Sequence, residues 1–258
     1  IHTHYTTLHY TTPHCIACCS MAMIFLNHHL LSILALLLLA STLFFGTSIH
    51  AAPGLSFKYR SLAKTNGFLL QQNATRSAGA SAIWLTPDTR IIADDSSLTG
   101  LIGRVVYKKP LKLGALGWSA SGARFQTQFT FQLVTSHTSY GGAADGLAFF
   151  LAPTAAVPAG SKGEYLGVDD PSSSSSTERF FAVEFDTRLS PAYNDSSHSH
   201  IGIDLNSLVS AAAVDTNNVS FPELYLYNNY RFTTWIDYEA ATGSIQVRMT
   251  NATASNTS

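Results

Sequence analysis

The ten residues Arg124–Leu133, RFQTQFTFQL, alternate without a break. Phe125, Phe129, Phe131 and Leu133 fall on one face, and Gln126, Gln128, Thr130 and Gln132 on the other. Successive side chains of a strand point to opposite faces, so a period of two gives one buried and one wet face only in an extended chain. Ser244–Thr250 repeats the pattern with Ile245, Val247 and Met249. The turn around Ala240–Gly243 joins that segment to Arg231–Tyr238, which predicts a hairpin. Gly146–Pro153 (GLAFFLAP) and Glu178–Asp186 (ERFFAVEFD) are short apolar and aromatic runs of the kind found in strands at the centre of a sandwich. After residue 52 no segment sustains apolar spacing at i, i+3 and i+4. Loop signals recur at Tyr140–Gly142 and Pro158–Gly163, and the low-complexity serine run Pro171–Thr177 reads as a surface loop. Neither an internal repeat nor a domain linker is visible. The expectation is an all-β chain folded as an antiparallel β-sandwich.

Charge removes whole classes of function. Fifteen basic against sixteen acidic residues leave a net charge of -1, with no basic excess to neutralise phosphates, so nucleic acid is not a partner. At 46% hydrophobic residues the chain is not of the disordered type, and 12% charged residues suit a β-rich, Ser/Thr-rich exported protein.

The first fifty residues read as lying outside the fold. The chain begins at Ile1 and reaches its first methionine at Met21, and its three cysteines, Cys15, Cys18 and Cys19, all precede that point. A C-x-x-C pair with flanking histidines admits a zinc reading. The stretch has no strand or helix period, and residues 1–20 are read as translated upstream sequence. From Met21 an uncharged run, Leu30–Phe45, leads to small residues around Gly46–Ala52, which is the plan of a secretory signal peptide over 21–52. A membrane anchor is the rival reading, and the run is short for one. The mature part, 53–258, is then a single domain without cysteine, so its stability rests on its core or on bound metal. Five N-x-[ST] sequons, at Asn73, Asn194, Asn218, Asn251 and Asn256, agree with export. The expected location is extracellular, with no membrane association of the mature part itself.

Val183–Asp204, VEFDTRLSPAYNDSSHSHIGID, carries the chemistry. Glu184 and Asp186 are two apart on a strand and so share a face, while Val183 and Phe185 point to the core. Asp195 and His200 follow a polar loop. Three carboxylates and an imidazole converging on one spot repel each other unless a cation lies between them. Oxygen donors suit calcium, and mixed carboxylate–imidazole ligation suits manganese or another transition ion. Two acids on a wet strand and one structural histidine would give the same spacing without a metal.

This stretch resembles the metal-binding segment of the legume-type (L-type) lectins: E-x-D, an Asp about ten residues on, then His before an I/V-G-I-D strand. The resemblance continues in order along the chain. LSFKYRSL from Leu55 is similar to the family's opening strand, and GRVVYKKPLKL (Gly103–Leu113) to its G-R-A-x-Y-x-x-P segment. ADGLAFFLAP (Ala144–Pro153) and EYLGV (Glu164–Val168) resemble the two sugar-site loops, and WIDYEAATGSIQVRM resembles the family's hairpin. It implies a concanavalin-like jelly roll, incomplete at its C-terminus because the family continues past the equivalent of Ser258.

The resemblance also implies residue roles. Glu184, Asp186, Asp195 and His200 would hold a transition ion, usually manganese. Asp186 and Asp195 would also hold calcium, together with the Arg188 carbonyl and the Ser190 side chain. The ions do no chemistry and preorganise a sugar pocket. Asp145 would accept hydrogen bonds from sugar hydroxyls, and a backbone N–H at Gly163 or Glu164 would donate. Two positions depart from the family pattern. Ser190 replaces an Asn that binds calcium and donates to the sugar, and Arg188 replaces an aromatic ring that stacks on it. A guanidinium can stack, but it buries less apolar area.

The function implied is a secreted lectin domain that binds glycans or glycoproteins, and the resemblance admits a homodimer paired through the back sheets. Two variants stand beside it, the ectodomain of a lectin receptor-like kinase and a defence or storage protein with altered sugar binding. A β-jelly-roll glycoside hydrolase would use E-x-D-x-x-E, and Leu189 occupies the place of the third acid, so no enzyme is expected.

Overall fold

The computed structural model describes residues 6–11, 55–59, 62, 66–77, 82–87, 100–111, 123–134, 145–170, 179–217 and 224–252. The cysteines, the segment read as a signal peptide, the serine run and the sequons Asn218 and Asn256 lie outside them. The chain divides into two units, Ile1–Thr12 with Tyr59–Ser258, and Pro13–Lys58. Of the second only residues 55–58 are described, and they form no strand.

The first unit is built from antiparallel sheets. Its larger back sheet runs in the order β1 (Thr6–Thr11), β12 (Ser244–Asn251), β11 (Arg231–Glu239), β6 (Arg124–Gln132). The front sheet runs β10 (Ala212–Asp215), β9 (His200–Leu205), β8 (Phe181–Asp186), β7 (Gly146–Leu151). Two short ribbons pair β2 (Phe68–Gln72) with β5 (Gly103–Tyr107) and β3 (Thr75–Arg76) with β4 (Ile83–Trp84). No α-helix occurs among the described residues, and none of their helices is long and apolar enough to cross a membrane.

The alternation seen in the sequence is what builds the back sheet. In β12 every second residue from Ile245 to Asn251 is buried, and in β6 the phenylalanines point toward the core while the glutamines are exposed. The predicted hairpin forms with Glu239 opposite Ser244, and Gly243 takes φ 60 at its turn, where a side chain would be strained. The core lies between the sheets. Phe181, Val183, Phe185, Ile201 and Ile203 pack against Phe232, Ile236, Ile245, Val247 and Met249. Phe131 and Phe185 meet across it with ring centroids 4.7 Å apart.

The front sheet differs from the back in one respect that matters for function. All six residues of β8 are buried. Its inner face is apolar, whereas its outer face, Ala182, Glu184 and Asp186, is covered by loops. β7 is half-buried along its length and lies at the edge of the described sheet instead of its centre. Thr6–Thr11, inside the stretch read as upstream sequence, pairs with the edge of β12, whereas residues 55–59, which resemble an opening strand, leave Leu55 and Phe57 about half exposed.

Candidate functional site

The register of three front strands assembles the cluster. Asp186 stands opposite His200, Glu184 opposite Gly202, and Gly146 opposite Asp186. Residues facing each other across an antiparallel pair share a face, so Glu184, Asp186 and His200 meet on the outer side of the sheet. One donor atom from each lies within 4.8 Å of the others, and all three side chains are buried. Asp195 arrives from the loop between β8 and β9, its Oδ1 3.8 Å from His200 Nε2.

Backbone donors fix the carboxylates. The Arg188 N–H donates to Asp186 Oδ1 at 2.5 Å, and the Ser190 N–H donates to Asp195 Oδ2 at 2.6 Å. His200 Nδ1 lies 3.0 Å from the Ser197 carbonyl, which can only accept, so Nδ1 carries the proton donated there. Nε2 then faces Glu184 Oε1 at 3.3 Å and Asp195 at 3.8 Å. A bare nitrogen lone pair against two carboxylates is repulsive, so Nε2 needs a proton or a cation.

The proton balance follows from this crowding. Burial pushes the Asp186 carboxyl up to about 7, helped by the Glu184 and Asp195 charges and opposed by the Arg188 N–H and His200. Burial raises Asp195 as well. Burial alone would lower His200, but the hydrogen bond and charge of Glu184 outweigh it and lift the imidazole to about 9. Without a metal the cluster therefore holds itself together with protons, and a divalent ion would take their place.

Three features of the chain fit such an ion. The donor set of carboxylates and one imidazole is that of calcium and manganese sites. The Ser190 hydroxyl is buried with no hydrogen-bond partner, an orphan that a hard cation beside Asp195 would satisfy. Gly202 leaves the space for Glu184, since a Cβ there would lie 2.3 Å from Glu184 Oε1 and 2.1 Å from Ser210 Oγ. Glu184, Asp186, Asp195 and His200 would hold the transition ion; Asp186, Asp195, Ser190 and the Arg188 carbonyl would hold calcium.

Behind the ligands lies a group to which the sequence reading assigned no role. Ser210 Oγ is 2.7 Å from Glu184 Oε1 and 2.8 Å from Asp204 Oδ1. One hydroxyl proton cannot serve two carboxylates, so one acid must itself be protonated. Asp204 is that acid: burial, then the Glu184 charge, push it up to about 8. The signal was present in H-x-G-x-D, a period of two that puts His200, Gly202 and Asp204 on one face. Ser210 comes from the loop after β9 and has no local spacing to betray it.

Asp145 is tied to this cluster through the backbone. It precedes β7 with φ 57, and its carbonyl accepts from the Thr187 N–H at 3.1 Å, one residue beyond Asp186. Resemblance to the legume-type lectins implies a cis peptide between Ala144 and Asp145, and Ala144 lies outside the described residues. Gly163 begins a 3-10 turn, Gly163–Tyr165, and a Cβ on it would lie 3.8 and 3.9 Å from the two Asp145 carboxylate oxygens. The two sugar-site loops proposed from sequence thus face each other. Glu164 follows in the same turn. Arg188 Nη1 reaches Asp145 Oδ1 at 3.2 Å, and Ser190 is only 3% exposed. Among the described sequons Asn194 is exposed in a left-handed conformation, Asn73 is half-buried, and Asn251 is 8% exposed at the end of β12.

Comparison with known proteins bears on this arrangement. Residues 54–258 match the Legume lectin domain. The chain is 35% identical over 173 residues to Agglutinin-2 of Cladrastis kentukea, covering 64% of this chain and 56% of that protein. It is 32% identical over 229 residues to the probable L-type lectin-domain containing receptor kinase VII.2 of Arabidopsis thaliana, covering 84% of this chain and 30% of the kinase. Among solved structures, peanut lectin with a 9mer peptide superposes with a TM-score of 0.57 at 25% identity, covering 78% of this chain and 90% of that one. The chain therefore spans about half of the first relative and under a third of the second.

Proposed function

The chain belongs to the legume lectin domain family, and from that premise we propose that residues 54–258 form a saccharide-binding lectin domain preorganised by calcium and manganese or a similar transition ion. The observation that carries the reading is the Thr187 N–H to Asp145 carbonyl bond, which ties the loop of ligands Asp186, Asp195 and Ser190 to the carboxylate that would accept sugar hydroxyls. Ions bound to that loop would hold Asp145, the Gly163 backbone and Arg188 in place before ligand arrives, which lowers the ordering cost of binding. The domain would do no chemistry. Glu184 is 3% exposed and hydrogen-bonded by Ser210, unavailable as a glycosidase acid, and Leu189 stands where a third acid is required.

The domain would act outside the cell, on free glycans or glycoproteins. The match over 84% of the chain to a lectin-domain receptor kinase favours a second reading, in which it is the ligand-binding ectodomain of such a receptor. Extension of the reading frame decides between the two. A glycan array with and without chelator tests the shared core. Binding should require divalent ions and should fall at least tenfold, about 1.4 kcal/mol, in Asp145→Asn, which tolerates the left-handed backbone. Chelator-insensitive binding, or full binding by that variant, would refute the reading.

A further inference from the structure

We propose that Arg188 supplies the saccharide-facing hydrogen-bond donor of this pocket, and that the Arg188–Asp145 pair reads a vicinal diol, one hydroxyl on the guanidinium and its neighbour on the carboxylate. The inference rests on the lectin reading above and adds the chemistry that the site recognises.

Position 190, where the resemblance places a donor, is spent. Ser190 is 3% exposed, its hydroxyl is buried, and its N–H is given to Asp195. It can serve a cation but not a ligand in solution. Arg188 is its opposite. Its side chain is 56% exposed, one N–H meets Asp145, and the other guanidinium donors have no protein partner among the described residues. Its backbone is anchored by the bond to Asp186, so the side chain starts from a fixed point beside the ligands.

The pair is suited to a diol. Arg only donates and an ionised Asp only accepts, whereas every sugar hydroxyl does both. A donor and an acceptor 3.2 Å apart at the surface, with the Gly163 backbone beside both Asp145 oxygens, match two adjacent hydroxyls. The ion pair itself is half exposed and therefore weak, so reshaping it around a ligand costs little. Hydrogen bonding would replace the stacking that the family places here, and orientation of the ring hydroxyls would dominate specificity.

The test uses the full chain loaded with calcium and manganese. Methyl glycosides that bind are titrated calorimetrically beside their monodeoxy analogues, against wild type, Arg188→Ala and Arg188→Lys. Arg188→Ala should weaken the parent glycoside about tenfold or more, as expected for a lost bond to a charged donor, with an unchanged melting temperature. At least one deoxy analogue that is weak on wild type should lose its deficit relative to the parent in Arg188→Ala, and Lys should restore binding only in part. Equal or tighter binding by Arg188→Ala would make the residue a plug and overturn the proposal, as would deoxy deficits that persist unchanged. A wild-type preference for glucuronate over glucose that vanishes with Arg188 would replace the diol by an anionic ligand. If Asp145→Asn abolishes binding while Arg188→Ala does not, only this inference fails. If wild type binds no glycoside, the lectin reading fails with it.

Discussion

Replacing Gly202 by alanine isolates the metal centre from the fold. A Cβ at 202 would lie 2.3 Å from Glu184 Oε1, 2.9 Å from Glu184 Cγ and 2.1 Å from Ser210 Oγ. Against the roughly 3.4 Å at which ordinary van der Waals contact begins, these contacts are short by about 0.5–1.3 Å, and the atoms in the way belong to the side chains of Glu184 and Ser210, not to backbone. The strand survives at a cost of about 1–3 kcal/mol. Glu184 does not keep its place, because its carboxylate must retreat by about 1 Å where metal–ligand distances tolerate only about 0.2 Å. Displacing a ligand and its supporting hydroxyl together should lower transition-metal affinity at least 10–100-fold, roughly 1.4–2.8 kcal/mol. Calorimetric titration of chelator-treated protein with manganese measures this, and circular dichroism checks the sheet. Calcium affinity should suffer less, since Asp186, Asp195, Ser190 and Arg188 are untouched. Manganese bound with wild-type affinity by a folded Gly202→Ala protein would refute the assignment of Glu184 as a ligand.

Other perturbations separate core, framework and proton balance. Phe185→Ala removes a fully buried ring between the sheets and should destabilise by about 3–5 kcal/mol, read as a fall in Tm of roughly 10 °C; a shift of only a degree or two would deny Phe185 its central place. Ser199→Ala leaves the buried Leu226 N–H, now 3.0 Å from the Ser199 hydroxyl, without an acceptor, and should cost about 1–3 kcal/mol by denaturant titration. The chelated protein should lose stability as pH rises: Asp186, raised from 3.8 to about 7, and His200, raised from 6.5 to about 9, each stabilise fully below the lower value and lose that contribution through the upper one. With calcium and manganese saturating, the native ligands carry no protons while the unfolded chain still binds them, so Tm should rise with pH up to about the unfolded values, 3.8 for Asp186 and 6.5 for His200. Parallel slopes with and without metal would contradict the cluster.

What the sequence disclosed, and what it hid, divides along a physical line. A strand with one wet face writes its period into the chain, so β6, β11 and β12 are legible as a sheet and a hairpin before any coordinates. β8 is buried on both faces, and its acids look like ordinary exposed residues until the loops that cover them are seen. β1 pairs at an edge through backbone groups, which impose no residue pattern. Residues 55–59, in the segment that resembles the family's opening strand, form no strand. At the site, Glu184, Asp186, Asp195 and His200 are readable because carboxylates and imidazole are chemically distinctive. Gly202 and Ser210 are not, since a space for a neighbour and a hydroxyl from a distant loop acquire meaning only once β8 and β9 are in register. Asp204 lies between these cases, on the right face by period but with no role until Ser210 is beside it.

The cluster also explains why the metal loop and the pocket should behave as one unit. Burying three acids and an imidazole together is costly, and breaking a buried pair by removing one partner costs more than the pair returns. Such a group is a poor device for stability, and the sandwich core between Phe185 and Met249 already provides that. Its value lies in exchanging protons for a cation, so that the state of the loop follows the presence of the ion. Asp186 holds the Arg188 backbone, Thr187 holds Asp145, and Asp195 holds Ser190, each through a single backbone N–H. Withdrawing the cations would load Asp186 and Asp195 with protons and weaken their bonds to the Arg188 and Ser190 N–H groups together, because a protonated carboxyl is the poorer acceptor, and Thr187, whose N–H reaches the Asp145 carbonyl, lies between Asp186 and Arg188. The pocket would loosen without the sheets unfolding, so chelation should abolish glycan binding in a protein whose β-sheet signal is unchanged.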